Sequence, residues 1–181
     1  MLQHCETTCW MQTYTGKIFY PLEPVIADID IEDIAAALSK QCRFGGHCGK
    51  FYSVAEHCCH VADYAPQSYK IEALLHDASE AYLVDIPRPI KAFMPEYLRI
   101  EDNLMKCITK RFDFLYPVTE VKEIDNRILS DERDQNMAFM DVEPRLWGNT
   151  LPALGVELQF WDNHKAKYEF MTRFHRWQGG R

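Results

Sequence analysis

Between Tyr69 and Leu83 the chain sets Ile71, Leu74, Leu75, Ala78 and Tyr82 at helical spacing, then places His76, Asp77 and Glu80 among them. The apolar positions require burial on one side, and the polar ones require something to face. Read as one helix, the segment carries His76 and Asp77 about 100° apart. Glu80 follows four residues after the first and three after the second, on the same edge. Leaving three titratable groups unpaired on the edge of an apolar helix costs on the order of several kcal/mol. A cation in a cleft supplies the partner they need.

The remaining segments read mostly as helices able to wall such a cleft. With 181 residues and 47% hydrophobic content, the chain suffices for one well-buried domain and is short for two. Trp10 to Tyr20 reads as a small β-hairpin turning at Gly16, ended by Pro21 and Pro24. Asp30 is the expected N-cap of a helix through Ile31, Ile34 and Leu38 that stops before Gly45 and Gly46. Ser53 and Glu56 form a capping box for a helix that buries Val54, Cys58, Val61 and Ala62 and carries His57 in its first turns. Pro95 opens a helix to about Phe112, and another follows Pro117 to about Met140. A long loop over Glu143 to Gly155 precedes an amphipathic helix from about Leu158 to Trp177. The expectation is an all-α, single-domain helical bundle over residues 1–181, with a hairpin arm over 1–24 and a helical core over 25–181.

Asp125 adds a carboxylate from another helix. Its helical neighbours Val121, Ile128 and Leu129 are apolar, and a carboxylate inside an apolar stripe needs a compensating charge. Asp131 and Asp134 are rivals, but Glu132, Arg133 and Gln135 around them read as a solvated face. Each residue taken singly also reads as an ordinary core or surface side chain. Taken together, His57, His76, Asp77 and Asp125 form a mixed nitrogen and oxygen set for one divalent cation. Four such ligands leave two octahedral positions, one for water and one for a substrate oxygen. The set suits Zn²⁺, Co²⁺, Mn²⁺ and Fe²⁺ alike.

The formal net charge of −7 argues against a nucleic-acid or anionic-membrane surface. Met1 to Trp10 lacks the apolar core of a signal peptide, and no stretch approaches the length of a membrane span. The seven cysteines are therefore expected to be reduced, in a cytoplasm. A structural zinc site from Cys42, His47, Cys48, Cys58 and Cys59 is the alternative. Against it, paired Cys-x-x-Cys knuckles are missing and helical neighbours Cys58 and Cys59 point apart.

The order His57, then His76 with Asp77, then Asp125 resembles the HD-domain superfamily of metal-dependent phosphohydrolases. The flanking text extends the likeness: RFGGH at Arg43 to His47, FYSVAEH at Phe51 to His57, ALLHDASEAY at Ala73 to Tyr82, DIPRPIK at Asp85 to Lys91 and VKEIDNRIL at Val121 to Leu129. With the amino-terminal WMQTYTGKIF, the chain resembles over nearly its whole length a compact subgroup near the small phage-type dATP triphosphohydrolases and the bacterial 5'-deoxynucleotidases. The resemblance implies an HD-type bundle around one divalent transition metal (Zn, Co or Mn), with Mg²⁺ accompanying substrate phosphates. It implies His57, His76, Asp77 and Asp125 as ligands, and Glu80 as the group that orients or deprotonates the attacking water. It further implies Arg43 at a phosphate, Asp85 near the sugar or leaving oxygen, and Lys91 as a basic contact. The base is expected against Phe44, Gly45 and Gly46, with Pro87 opposite.

Dinuclear HD enzymes resemble one another in placing further histidines between the HD pair and the last aspartate. This chain has none between Asp77 and Asp125, which favours one metal. His60, one turn after His57, reads either as an additional ligand or as a helix histidine at the pocket rim or in solvent. The implied reaction is loss of the whole triphosphate from a deoxynucleoside triphosphate by water attack on the α-phosphorus. Removal of phosphate from a deoxynucleoside monophosphate is the alternative, and a non-catalytic nucleotide sensor is a second. The implied partner is a small-molecule nucleotide, in the cytoplasm of a bacterium or a phage-infected host, with no nucleic acid or membrane. A homo-oligomer, dimer or hexamer, is expected by the same resemblance. The hairpin aromatics and Phe160, Trp161, Phe170, Phe174 and Trp177 read either as self-association surface or as internal packing.

Overall fold

The hairpin forms where the sequence alternates: Met11–Gln12 (β1) pairs antiparallel with Ile18–Phe19 (β2), Met11 opposite Phe19. Gly16 turns the chain with φ of +85°, a conformation that costs glycine little. Lys17 Nζ reaches Asp30 Oδ2 at 2.9 Å, while Asp30 Oδ1 accepts the Glu32 N–H at 2.9 Å. One carboxylate thus caps α1 (Ile31–Leu38) and fastens the hairpin to it. These coordinates are a computed structural model describing residues 9–141 and 151–179. Among the described residues the hairpin is the one sheet, and eight α-helices, with three short 3₁₀ segments, are the remaining regular elements, so the all-α expectation holds.

Ser53 caps α2 (Val54–Tyr64) by accepting the Glu56 N–H at 3.1 Å. The capping box is only half formed. Glu56 turns away from Ser53 and accepts the backbone N–H groups of Gln159, Phe160 and Trp161 at 2.8, 2.8 and 2.7 Å. Those donors are therefore lost to a helix, which corrects the expected start at Leu158. The chain stays extended until Asp162 caps α8 (Asn163–Gln178).

The expected helix from Tyr69 to Leu83 is interrupted. It divides into α3 (Lys70–Leu74) and α4 (Glu80–Leu83), with a turn over 75–79 that holds His76 and Asp77. The His76 ring contributes to this break by donating Nδ1–H to the Ala73 carbonyl at 2.7 Å. Then come α5 (Arg88–Lys91), α6 (Pro95–Phe112) and α7 (Thr119–Asn136), the last ending four residues before the expected Met140.

α2 packs against α3, α7 and α8, and α1 against α4 and α8. Ile34, Leu38, Tyr52, Leu74, Leu75, Leu104, Ile108, Ile128 and Phe170 are fully buried in one cluster. Each such aliphatic side chain contributes about 1.5–3 kcal/mol by leaving water. Phe170 and Phe174 are buried, and Phe160, Trp161 and Trp177 lie half-buried against the same core, so internal packing accounts for these aromatics. The expected loop over Glu143 to Gly155 lies largely outside the described residues. Among the described residues no helix is long and apolar enough to cross a membrane. Cys42, Cys48, Cys58, Cys59 and Cys107 are free thiols as expected, whereas Cys9 is disulfide-bonded, which corrects the fully reduced set.

Candidate metal centre

The interrupted helix brings the HD pair against α2 and α7. His57 Nε2 lies 3.3 Å from His76 Nε2, 3.7 Å from Asp77 Oδ2 and 3.2 Å from Asp125 Oδ1. His76 Nε2 lies 3.2 Å from Asp77 Oδ2 and 3.8 Å from Asp125 Oδ1. Metal–ligand bonds of about 2.0–2.2 Å put neighbouring donor atoms about 3.0 Å apart in an octahedron and about 3.4 Å apart in a tetrahedron. The separations of 3.2, 3.2 and 3.3 Å fall between those edges, and those of 3.7 and 3.8 Å exceed them.

The tautomers fit as well. His57 Nδ1 sits 2.6 Å from Glu132 Oε1 and His76 Nδ1 sits 2.7 Å from the Ala73 carbonyl, both acceptors, so each Nδ1 is the donor. In a neutral ring each Nε2 then offers a lone pair to the centre. His57, His76 and Asp125 converge as one group that could hold a metal ion, and Asp77 falls with His76 and Cys58 in a second, overlapping one. Titration behaviour reflects the same need for positive charge. Burial alone would depress His76, but Asp77, then Cys58 and Asp125, hold its imidazole well above the ordinary range. Burial would raise Asp77, yet His76 and then His57 bring it down to about 2. Asp125, desolvated but bonded to His57 and His76, is held well below the usual carboxylate range.

Glu132 was missed in the sequence, where it was assigned to a solvated face. It is fully buried, and its second oxygen, Oε2, accepts from Arg43 Nη2 at 3.2 Å. Burial would raise its pKa, but Arg43 and then His57 draw it below the ordinary value. The signal was present: Glu132 lies seven residues after Asp125, two turns along the stripe of Val121, Asp125 and Ile128. Asp131 is buried too, but it accepts the backbone N–H groups of Leu154, Gly155 and Val156, and Asp134 is exposed. Among the described residues, neither rival of Asp125 joins the cluster.

Arg43, in a short 3₁₀ turn, is 8% exposed and places Nη1 3.8 Å from Asp77 Oδ2. Glu80 is buried, with Oε2 unpartnered among the described residues and Oε1 3.9 Å from Lys91 Nζ. Burial, then the charges of Asp77 and Asp85, push Glu80 well above the ordinary carboxyl range. Lys91 Nζ is held mainly by Glu101 at 2.6 Å. Asp85 is half-buried, its N–H donating to Gln41 Oε1 at 3.1 Å. Arg88, which sequence reasoning overlooked, bonds Asp125 Oδ2 at 2.8 Å. Phe44 is half-exposed beneath the Arg43 guanidinium, 5.3 Å from its ring centroid. Gly45 and Gly46 have φ of +60° and +80°, and a Cβ on either would meet open space. Pro87 is exposed at the N-cap of α5. A cavity of about 190 Å³ opens on His76, Asp77 and Asp125, with Tyr116 and Lys122 in its wall.

His60 does not join the centre. It is buried rather than at the rim, 3.3 Å from Glu56 Oε1 and tilted against Trp161. The alternative zinc site does not assemble either. Cys42 and Cys48 bring their sulfurs within 3.5 Å, but Cys58 lies with His76 and Asp77, where burial pushes its thiol up to about 11.

The uncharacterized protein YfdR of Escherichia coli K12 is 44% identical over 126 residues, covering 68% of this chain and 70% of its own length. The chain belongs to the YfdR family. An uncharacterized protein of Rhodobacter capsulatus is 29% identical over 184 aligned residues, spanning 92% of this chain and 94% of its own. No protein-family model matches the chain. YfdR and the Rhodobacter protein bring no activity with their names, so the chemistry of this YfdR-family chain is argued from its residues.

Proposed function

We propose that the chain is an HD-type, metal-dependent deoxynucleotide phosphohydrolase that converts a deoxynucleoside triphosphate to deoxynucleoside and triphosphate. The observation that carries this reading is the grouping of His57, His76 and Asp125, with Asp77 Oδ2 3.2 Å from His76 Nε2 and both Nδ1 atoms committed elsewhere, together with a buried Glu80 oxygen that has no partner among the described residues. A divalent cation held by His57, His76, Asp77 and Asp125, of the Zn²⁺, Co²⁺ or Mn²⁺ type, supplies Lewis acidity toward a phosphoryl oxygen and lowers the pKa of water.

The chain's own contribution is positioning and charge. Glu80 Oε2 takes the proton of the water that attacks the α-phosphorus, and its raised proton affinity suits that role. Arg43, clamped between Glu132 and Asp77, neutralises phosphate oxygens at a fixed place. Asp85 serves the leaving oxygen or the sugar. The open turn at Gly45 and Gly46 leaves room for the base beside Phe44.

Charge favours the triphosphate. A monophosphate brings roughly two negative charges, while Arg43 and Lys91 already face Glu132 and Glu101. Lys122 in the cavity wall and Arg88, bonded to Asp125, add two cationic side chains that suit a substrate of higher charge whose phosphates also carry Mg²⁺. Purified protein given each dNTP and dNMP with Co²⁺, Mn²⁺, Zn²⁺ or Mg²⁺ is expected to release tripolyphosphate from a triphosphate. Orthophosphate from monophosphates alone transfers the assignment to a 5'-deoxynucleotidase. Binding without turnover of either leaves a nucleotide sensor and rejects the enzyme.

A further inference from the structure

Glu132 stands behind the centre, touching a ligand on one side and the phosphate-binding candidate on the other. Its Oε1 lies 2.6 Å from His57 Nδ1 and its Oε2 lies 3.2 Å from Arg43 Nη2. Glu132 and His57 are 0% exposed and Arg43 is 8% exposed, so water does not stand in for either contact. A carboxylate is the side chain that accepts at both ends. The other anchor of Arg43 in this region, Asp77, is 3.8 Å away and is itself engaged with His76.

We infer that Glu132 is a positioning residue whose single carboxylate sets the ligating tautomer of His57 and the placement of Arg43, so that metal loading and phosphate contact depend on one side chain. The inference rests on the metal-hydrolase reading above. Its chemical core is that an amide cannot replace the carboxylate. A glutamine with its oxygen toward His57 points its NH₂ at the Arg43 donors. Turned over, it donates to Nδ1, moves the ring proton to Nε2 and aims that proton into the cluster of His76, Asp77 and Asp125. Either orientation satisfies one neighbour at the expense of the other.

The test is a Co²⁺ affinity series, by competition with a chromophoric chelator, on wild type, Glu132→Gln, Arg43→Met and the double variant. Glu132→Gln is expected to bind Co²⁺ about 10–100-fold more weakly than wild type. In the Arg43→Met background the amide is free to turn its oxygen to His57, so the same substitution is expected to cost several-fold less. Wild-type affinity in Glu132→Gln, or an equal loss in both backgrounds, overturns the role. Should Glu132→Gln unfold, ¹⁵N imidazole spectra of the Zn²⁺-loaded wild type decide: a proton on His57 Nδ1 is expected, and a proton on Nε2 overturns the inference. Failure of wild type to bind Co²⁺ overturns centre and role together. The expected affinity pattern without nucleotide hydrolysis removes the hydrolase reading and leaves the role of Glu132 standing.

Discussion

His57 Nε2 and His76 Nε2 face each other at 3.3 Å while the opposite nitrogen of each ring is already committed, to Glu132 and to the Ala73 carbonyl. Two lone pairs at that separation repel unless a positive charge lies between or beside them. Asp77 and Asp125 sharpen the demand, because they bring further negative charge to the same point. A proton meets it partially: Asp77, then Cys58, outweigh burial and hold the His76 imidazole above its ordinary range. A divalent cation meets it for all four groups at once.

Cation and proton therefore compete. Because His76 is held above its ordinary pKa, its proton must leave before Nε2 binds a metal, and apparent Co²⁺ or Zn²⁺ affinity is expected to fall as pH is lowered. Saturating metal is expected to raise the unfolding temperature, about 2.7 kcal/mol being gained at a hundred times the Kd. Calorimetric scans with and without chelator across pH check both. An affinity independent of pH speaks against the paired imidazoles.

Asp125 and Asp131, six residues apart on α7, should fail in different ways. Asp125→Ala is expected to abolish tight Co²⁺ binding with little loss of fold. Asp131 accepts three N–H groups, from Leu154, Gly155 and Val156 at 2.8, 2.9 and 3.1 Å, so Asp131→Ala should lower stability by about 1–3 kcal/mol or more and leave metal affinity unchanged. Urea unfolding and metal titration of the two variants separate the roles. Metal loss in Asp131→Ala instead reverses the assignment.

The contrast shows what the sequence could reveal. Asp125 was legible because its i−4, i+3 and i+4 neighbours are apolar, a local pattern that burial enforces. Glu132 lies on the same stripe, but adjacency to Arg133 and Gln135 made it look solvated; its partners, His57 and Arg43, are 75 and 89 residues away. The turn that splits α3 from α4 escaped the apolar periodicity, which continues unbroken through His76 and Asp77. Glu56 shows the same effect. Its spacing from Ser53 predicted a local cap, whereas its carboxylate serves the backbone of residues 159–161.

The tie between hairpin and α1 should be sensitive to acid. The hydrogen bond from Lys17, opposed by slight burial, holds Asp30 below its ordinary 3.8. A carboxyl whose folded pKa is depressed contributes stability above its unfolded pKa and loses it as pH falls through the folded value. Asp30→Asn keeps a capping oxygen and loses the charge, so it should be less stable than wild type at neutral pH by about 1 kcal/mol or less, the pair being partly exposed. The difference is expected to shrink as pH is lowered past about 3.8. Chemical denaturation at a series of pH values measures it, and a difference that grows in acid contradicts the sign.

Glu80 gives the sharpest separation of binding from chemistry. Its Oε2 is buried without a hydrogen-bond partner among the described residues, and burial with the charges of Asp77 and Asp85 raises its proton affinity. Glu80→Gln keeps the shape and removes both the charge and the ability to take a proton. A group that handles water, and is not itself a ligand, should then leave Co²⁺ affinity near wild type while turnover drops about 10²–10⁴-fold. Stability should be unchanged or slightly higher, because the amide relieves repulsion with Asp77 and Asp85. Measuring metal affinity, turnover and unfolding temperature on the same preparation distinguishes the cases: equal loss of metal and activity makes Glu80 a ligand, and undiminished turnover removes it from the proton path.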